Sequence, residues 1–247
     1  MDETPSNRDR NRLSTLPPAS SLAAVDRHTL AVDIVLFTIQ NEALQVLLVK
    51  RRSEPFQGSW SLPGGIVSQS ESVDEAALRE LQAETGISRV YLEQLYTFGD
   101  LDRDPRGRVI TVSYYAVVDW GRAPETVRVT PAEATWFPAG RLPSLAFDHK
   151  KIIAAAIERL RSKVNYTTVA FQLLPKAFAL SELQRAYEVI LGKPLDKRNF
   201  RKKMLQLGVL KDTGARKTEG RQRPARLYSF TEARVIKLQE KGILVPF

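Results

Sequence analysis

Gly65, Glu71, Arg79, Glu80, Glu84 and Gly86 stand at intervals that suit phosphate chemistry. Five residues separate Gly65 from Glu71, and seven separate Glu71 from Arg79. Glu80 and Glu84 lie four apart, and on a helix that spacing puts both carboxylates on one face, where they can hold a divalent cation against a diphosphate. A solvated acidic face would account for the two glutamates. It would not account for the glycine-rich entry at Gly58, Pro63, Gly64 and Gly65, or for the glycine exit at Gly86. Position 83, three residues after Glu80 on the same face, is alanine. Diphosphate hydrolysis needs charge neutralisation and a metal-activated water, for which this face supplies two carboxylates. The chain has no cysteine and two histidines, His28 and His149, so any metal must be a hard cation held by carboxylates. Glu80 and Glu84 are the candidate ligands, and Glu133 is a distant candidate for a general base.

Cations that suit the diphosphate lie on both sides of this segment. The run Asp100 to Arg108 places Arg103, Arg106 and Arg108 where bidentate phosphate contacts are available, although a charged surface loop would have the same composition. Arg52, Phe56 and Trp60 flank the Gly64-Gly65 turn and suit stacking on a base or ribose, unless the aromatics belong to the core. These residues make up the candidate effector-binding set.

A second chemistry sits near the C-terminus. Between Lys197 and Leu207, Phe200, Met204 and Leu207 form one helical stripe, while Arg198, Asn199, Lys202 and Gln206 form the opposite one. Arginine and lysine read guanine, and asparagine and glutamine read adenine, in the major groove. Lys197, Arg201 and Lys203 flank that face and suit phosphates. Arg216, Lys217, Arg221, Arg223 and Arg226 follow in a segment with extended ends, a density that suits backbone or minor-groove contact.

The charge balance supports this division. The net charge is +9, yet residues 1–150 hold 16 Lys and Arg against 20 Asp and Glu, a net of −4. Residues 151–247 hold 21 against 8, a net of +13. A basic unit attached to a mildly acidic one is the footprint of a nucleic-acid binder with a separate sensor or enzyme. The aromatics are not grouped into a stacking platform, so duplex DNA is favoured over RNA. A length of 247 residues suggests two domains and two cores. Hydrophobic content of 43% with 26% charged residues excludes wholesale disorder. No apolar run approaches 18 residues, and Met1 to Pro18 has no apolar core of a signal peptide. A cytosolic protein with no membrane partner is expected.

The elements that must position these residues follow from periodicity and punctuation. Residues 1–27 read as a flexible arm, either a tail or a DNA contact through Arg8, Arg10 and Arg12. Leu30 to Ile39, a nearly continuous apolar run broken by Asp33, and Leu44 to Lys50 form a predicted hairpin around Asn41-Glu42. A helix over Ser72 to Thr85 carries the carboxylates, and strands are predicted at Arg89 to Phe98, Val109 to Val118 and Ala134 to Phe137. One early helix among mixed strands suggests a sandwich, so 28–148 is read as one domain. His149 to Lys163 is a linker helix. In 164–247, Ser181 is expected to cap a helix ending at Gly192, Asp196 another ending at Gly208, and Val209 to Phe230 to form a basic hairpin. Two short helices followed by a hairpin is the winged helix-turn-helix pattern.

The spacing from Gly65 to Ile87 resembles the Nudix box, Gly-x5-Glu-x7-Arg-Glu-apolar-x-Glu-Glu-x-Gly-apolar, at every constrained position except Ala83. The resemblance implies an α/β/α sandwich in which Arg79 braces Glu71, and at Ala83 the loss of a metal-ligand glutamate that binding survives better than hydrolysis does. With that box, the runs Asp196 to Arg201 and Arg223 to Tyr228 are similar to the NrtR family of Nudix-related transcriptional regulators, as is Phe147-Asp148-His149. That resemblance implies a Nudix domain sensing ADP-ribose or a related nucleotide sugar, followed by a winged helix-turn-helix domain that binds a palindromic operator as a homodimer. No cofactor is required by this reading, with Mg²⁺ entering only alongside bound ADP-ribose. The competing readings are an ADP-ribose pyrophosphatase with an accessory basic domain, and a sugar-responsive regulator of the same architecture.

Overall fold

The computed structural model describes residues 28–88, 90–122, 133–164, 169–218 and 224–231. The N-terminal arm, with Arg8, Arg10 and Arg12, and the cations Arg221 and Arg223 lie outside the described residues. β1 (Thr29–Gln40) and β2 (Ala43–Lys50) form the expected hairpin, with Phe37 opposite Val46 and Gln40 opposite Ala43. Asn41 and Glu42 have φ of 50° and 59°, the left-handed pair that lets a two-residue turn follow the twist of its strands. β3 (Trp60–Ser61), β4 (Gly64–Ile66), β5 (Glu93–Phe98), β6 (Val109–Val117) and β7 (Ala134–Pro138) complete a seven-stranded mixed sheet in which β1 pairs in parallel with β6. β5 begins at Glu93, four residues later than expected, and Tyr91 just before it is 70% exposed.

β1 reads as a continuous apolar run because both of its faces are covered. Val32, Ile34 and Leu36 meet Ala76, Ala77 and Leu81 of α1 (Val73–Thr85), whereas Val35 and Phe37 face α2 (His149–Val164). α1 starts at a capping box: the Ser72 hydroxyl accepts from Glu75 N at 3.2 Å, and the Glu75 carboxylate accepts from Ser72 N at 2.8 Å. It ends at Gly86, whose φ of 74° is the left-handed stop that glycine permits.

The winged helix consists of β8 (Phe178–Ala179), α3 (Leu180–Leu191), α4 (Lys197–Gln206), β9 (Leu210–Lys217) and β10 (Ala225–Phe230), with strand order β8-β10-β9. Asp196 caps α4 as expected, accepting from Asn199 N at 2.7 Å. Ser181 does not cap α3. The backbone leaves extended geometry at Ala179, so Ser181 falls inside the helix, and the Glu182 carboxylate accepts from Ala179 N at 2.6 Å instead.

Among the described residues two cores are present, but they do not divide by domain. One lies between α1 and the sheet. The other runs without interruption from the opposite sheet face through Ile152, Ile153, Ala156 and Leu160 of α2 to Leu183, Tyr187, Phe200 and Met204 of the winged helix. A fully buried aliphatic or aromatic side chain contributes roughly 1.5–3 kcal/mol. This shared core therefore outweighs the exposed Glu42–Arg185 ion pair in fastening the winged helix to the sheet.

Candidate functional site

The start of β1, the β4 turn and the loops around Arg51, Arg103 and Phe147 enclose a cleft of about 410 Å³, within the range of small-molecule sites. Its wall requires glycine at position 64, where the neighbour is backbone, and at position 65 a side chain would displace the Glu80 carboxylate. A Cβ on Gly64 would stand 2.2 Å from the Val32 carbonyl oxygen, and one on Gly65 would stand 2.1 Å from Glu80 Oε1. Glu71 and Arg79 brace this wall as the box resemblance implies: Arg79 Nε donates to Glu71 Oε2 at 2.8 Å and Nη2 to Oε1 at 2.7 Å. Those bonds, with the Ser68 N–H, hold the Glu71 carboxyl down at about 2. Arg79 also donates to Glu80 Oε1 at 2.7 Å, which fixes the first carboxylate of the helical pair.

Glu84 accepts from Gly64 N at 3.0 Å and lines the cleft beside Ala83, whose methyl stands where the box has a third carboxylate. Solvent reaches Glu84, but the cleft walls surround its carboxyl. That burial, with Glu80 nearby, pushes its pKa up to about 7 against the pull of the Gly64 N–H. No group of three His, Asp or Glu side chains suited to a metal occurs among the described residues. Glu80 and Glu84 thus offer a divalent cation two carboxylates, each already hydrogen-bonded, and the donor set is one carboxylate short. Glu133 lines the outer rim and is engaged with Arg52.

The expected trio of arginines divides three ways. Arg103 is not a free phosphate contact: its side chain is 4% exposed and donates to Asp148 at 2.8 and 3.1 Å and to Asp33 at 3.3 Å. A guanidinium this deep must be neutralised within the protein, and Asp33, the one charged residue of β1, supplies part of that charge. Arg108 turns away from the cleft and donates to the Gly99 carbonyl, bracing its own loop. Of the three, Arg106 alone presents an exposed guanidinium to the cleft, anchored on Asp104 by bonds of 3.0 and 2.8 Å.

Trp60 is not a stacking platform either. It packs against Phe137 at 4.9 Å on the α2 side, where the core takes up its ring. Phe56 stands at the rim, 42% exposed, with its ring edge-on to Phe147 at 4.9 Å. Sequence reasoning missed Asp33, Arg51, Phe147 and His149 as lining residues. Asp33 could have been found as the one charge in an apolar strand. His149 opens α2 with Nδ1 accepting from Leu62 N at 2.9 Å, so Nε2 carries the ring proton, 3.3 Å from Asp33 Oδ1. Burial alone would raise the Asp33 pKa, but His149 and Arg103 outweigh it and hold it low.

The second candidate surface is the exposed side of α4 and the adjoining hairpin. Phe200 and Met204 are buried, which leaves Lys197, Arg198, Asn199, Arg201, Lys202 and Gln206 exposed. Lys203 is half-buried. Lys197 and Arg201 face Arg216 and Arg226 across a groove of about 580 Å³ between α4 and the hairpin. Lys217 is paired with Glu182 at 2.9 Å, and Arg226 with Asp212 at 3.6 Å.

Comparison with known proteins places both surfaces in a family. Residues 27–156 match the model of the NUDIX domain, and residues 170–230 match that of the NrtR DNA-binding winged helix domain. The ADPR responsive transcriptional repressor NtrR of Acinetobacter baylyi is 37% identical over 204 residues, 81% of either chain. The crystal structure of Shewanella oneidensis NrtR complexed with a 27mer DNA superposes with a TM-score of 0.75 at 40% identity, covering 84% of this chain and 95% of that one. The Nudix domain of the same Shewanella protein, complexed with ADP ribose, matches with a TM-score of 0.50 at 37% identity, covering 59% of this chain and 99% of that one. A Nudix sandwich and an NrtR winged helix in one chain, with a relative this similar over most of its length, establish that the protein belongs to the NrtR family.

Proposed function

We propose that this protein is a transcriptional repressor whose hold on operator DNA is released when ADP-ribose enters the Nudix cleft. The observation that carries this reading is a single helix with a role at both sites. His149 at the start of α2 closes the cleft floor through Asp33, and Ile152 to Leu160 belong to the core that seats the winged helix. A ligand that prefers one arrangement of the cleft floor thereby biases the arrangement of the DNA-binding face, which is all that coupling requires. The relatives' DNA-bound and ADP-ribose-bound structures support both halves of the reading. A homodimer on a palindromic operator is the assembly proposed for it, with the exposed face of α4 in the major groove of each half-site.

In this reading the cleft binds and does not efficiently hydrolyse. Glu71 and Arg79 keep the loop in shape and Gly64 and Gly65 admit the ligand, while the carboxylate set is one short at Ala83. Gel-shift titration of the operator with and without ADP-ribose tests the proposal, and an operator complex unchanged at saturating ADP-ribose would defeat it. Hydrolysis is the second reading: Glu84 lines the cleft with its carboxyl pushed up to about 7 by burial, which suits proton exchange at neutral pH. AMP release by the unmutated protein measures that reading directly.

A further inference from the structure

Leu205, on α4, is 44% exposed. The other large hydrophobic side chains that stand exposed among the described residues, Tyr91 and Leu101 among them, all lie in the Nudix domain, so Leu205 is the one such group on the winged helix. A single surface leucine is ordinary, but the surroundings of this one are not. Phe200 and Met204 seat α4 on its core, and the side chains around Leu205 on the outward side are those of Arg198, Arg201, Lys202 and Gln206.

Its direction follows from the helical period. At 3.6 residues per turn, Leu205 follows Arg198 by about two turns, so the two side chains leave the helix within about 20° of each other. From Phe200 and Met204 it diverges by about 140° and 100°. Leu207 N donates to Lys203 O at 3.1 Å and Gly208 N to Leu205 O at 3.3 Å, so hydrogen bonds hold the turn that carries Leu205.

The neighbouring charges select what can cover this side chain. α4 holds no acidic residue. A second protein surface that covered Leu205 would also cover Arg198 and Lys202, and burying unpaired cations is costly. Duplex DNA offers suitable partners to all three groups. Its bases and phosphates take the cations, and the major groove carries one apolar feature, the 5-methyl group of thymine. We infer that Leu205 reads a thymine by covering that methyl group, an apolar specificity determinant beside Arg198 and Lys202. This inference rests on the reading of α4 as the helix that enters the major groove. With the axis of α4 along the groove, seven residues advance about 10 Å, which sets the thymine about three base-pair steps from the base that Arg198 reads.

Replacing thymine by deoxyuridine removes the methyl group and leaves every hydrogen-bonding group in place, so the test does not depend on protein stability. Operator duplexes selected by the unmutated full chain from random-sequence DNA, each with deoxyuridine at one thymine, are titrated by fluorescence anisotropy. At one thymine in each half-site the replacement should weaken binding of the unmutated protein by about 4-fold, the contribution of one buried methyl group. Leu205→Ala should weaken binding to the thymine duplex by at least about as much. It should also be insensitive to deoxyuridine at that position alone, since a double-mutant cycle isolates the contact of the pair. Equal sensitivity of the two proteins at every thymine would overturn the inference and leave Arg198 and Lys202 as readers. Equal weakening of Leu205→Ala on operator and random duplex, or a changed sedimentation coefficient without DNA, would assign Leu205 to nonspecific contact or to packing between copies and overturn it too. Unmutated protein that selects no sequence would remove the major-groove reading itself, and the inference with it.

Discussion

Arg103 and Asp148 meet in a buried two-point ion pair, Nε to Oδ2 at 3.1 Å and Nη2 to Oδ1 at 2.8 Å, that ties the cleft floor to the residue preceding α2. The Asp148 carbonyl accepts from Lys151 N and Ile152 N, so the same residue anchors the first turn of that helix. Removing one member of such a pair leaves the other charged and without its partner in a poorly solvated place. Arg103→Met should therefore lower stability by about 3–5 kcal/mol in urea unfolding. A loss below about 1 kcal/mol would show that water replaces the guanidinium and that the network is not structural.

Asp148→Asn is the milder probe of transmission, because Arg103 keeps Asp33. ADP-ribose affinity should stay within a few-fold of the unmutated value. Its effect on operator affinity, expected at a coupling of about 1–3 kcal/mol, should fall to less than half. Gel-shift titrations at fixed ligand saturation measure this, and an undiminished effect would move the transmission path away from Asp148.

Ala83 should separate regulator from enzyme by one side chain. Unmutated protein with Mg²⁺ is expected to release AMP from ADP-ribose very slowly. Ala83→Glu restores the missing carboxylate beside Glu84 and should add measurable release. Turnover of about 1 per second or faster by the unmutated chain, the pace of working enzymes, would make pyrophosphatase the better reading.

Glu84 gives the cleft a pH dependence of defined sign. Its folded-state pKa, about 7, lies above the ordinary 4.5, so the folded protein binds more protons than the unfolded one between those values. Stability contributed through this group is complete at low pH and declines as pH rises through that window. Ionised Glu84 also repels a diphosphate. In metal-free buffer, ADP-ribose affinity should therefore fall as pH rises from about 6 to 8, and Glu84→Gln should flatten the curve. A profile of the same slope in that variant would assign the titration to another group.

The two sides of the winged helix should respond differently to truncation. Arg198→Ala and Lys202→Ala, on the exposed side of α4, are expected to cost about 1–3 kcal/mol each on the operator and little on random duplex. Arg216→Ala, on the hairpin side of the basic groove, should weaken both alike and reduce the salt slope by about one. Equal losses on the two DNAs for Arg198→Ala would remove that residue from base reading.

Features governed by near neighbours in the chain were legible from residue types and spacing. The capping of α1, its stop at Gly86, the Asn41-Glu42 turn and the Asp196 cap each depend on bonds spanning a few residues. The pairing of Glu71 with Arg79 is only slightly longer in range, and it was the resemblance to the Nudix box that implied it. The division of α4 into a Phe200 and Met204 stripe and a basic stripe follows from helical period alone. Where a nearby alternative existed, as with Ser181 and Glu182 at the start of α3, local reasoning chose the wrong residue. The decision there belonged to β8, which keeps Ala179 extended.

The site's charges divide on longer-range grounds. Arg103, Arg106 and Arg108 are equivalent as letters in one loop, yet the first is neutralised by Asp33 and Asp148, 70 and 45 positions away, the second faces the cleft, and the third bonds back to Gly99. Arg51 and Phe147 come together from segments 96 residues apart. The single core that joins sheet, α2 and winged helix is of the same kind. Apolar periodicity marks which side of a strand or helix must be buried, but which partner covers it depends on the packing of the whole chain, because the hydrophobic effect has no direction of its own.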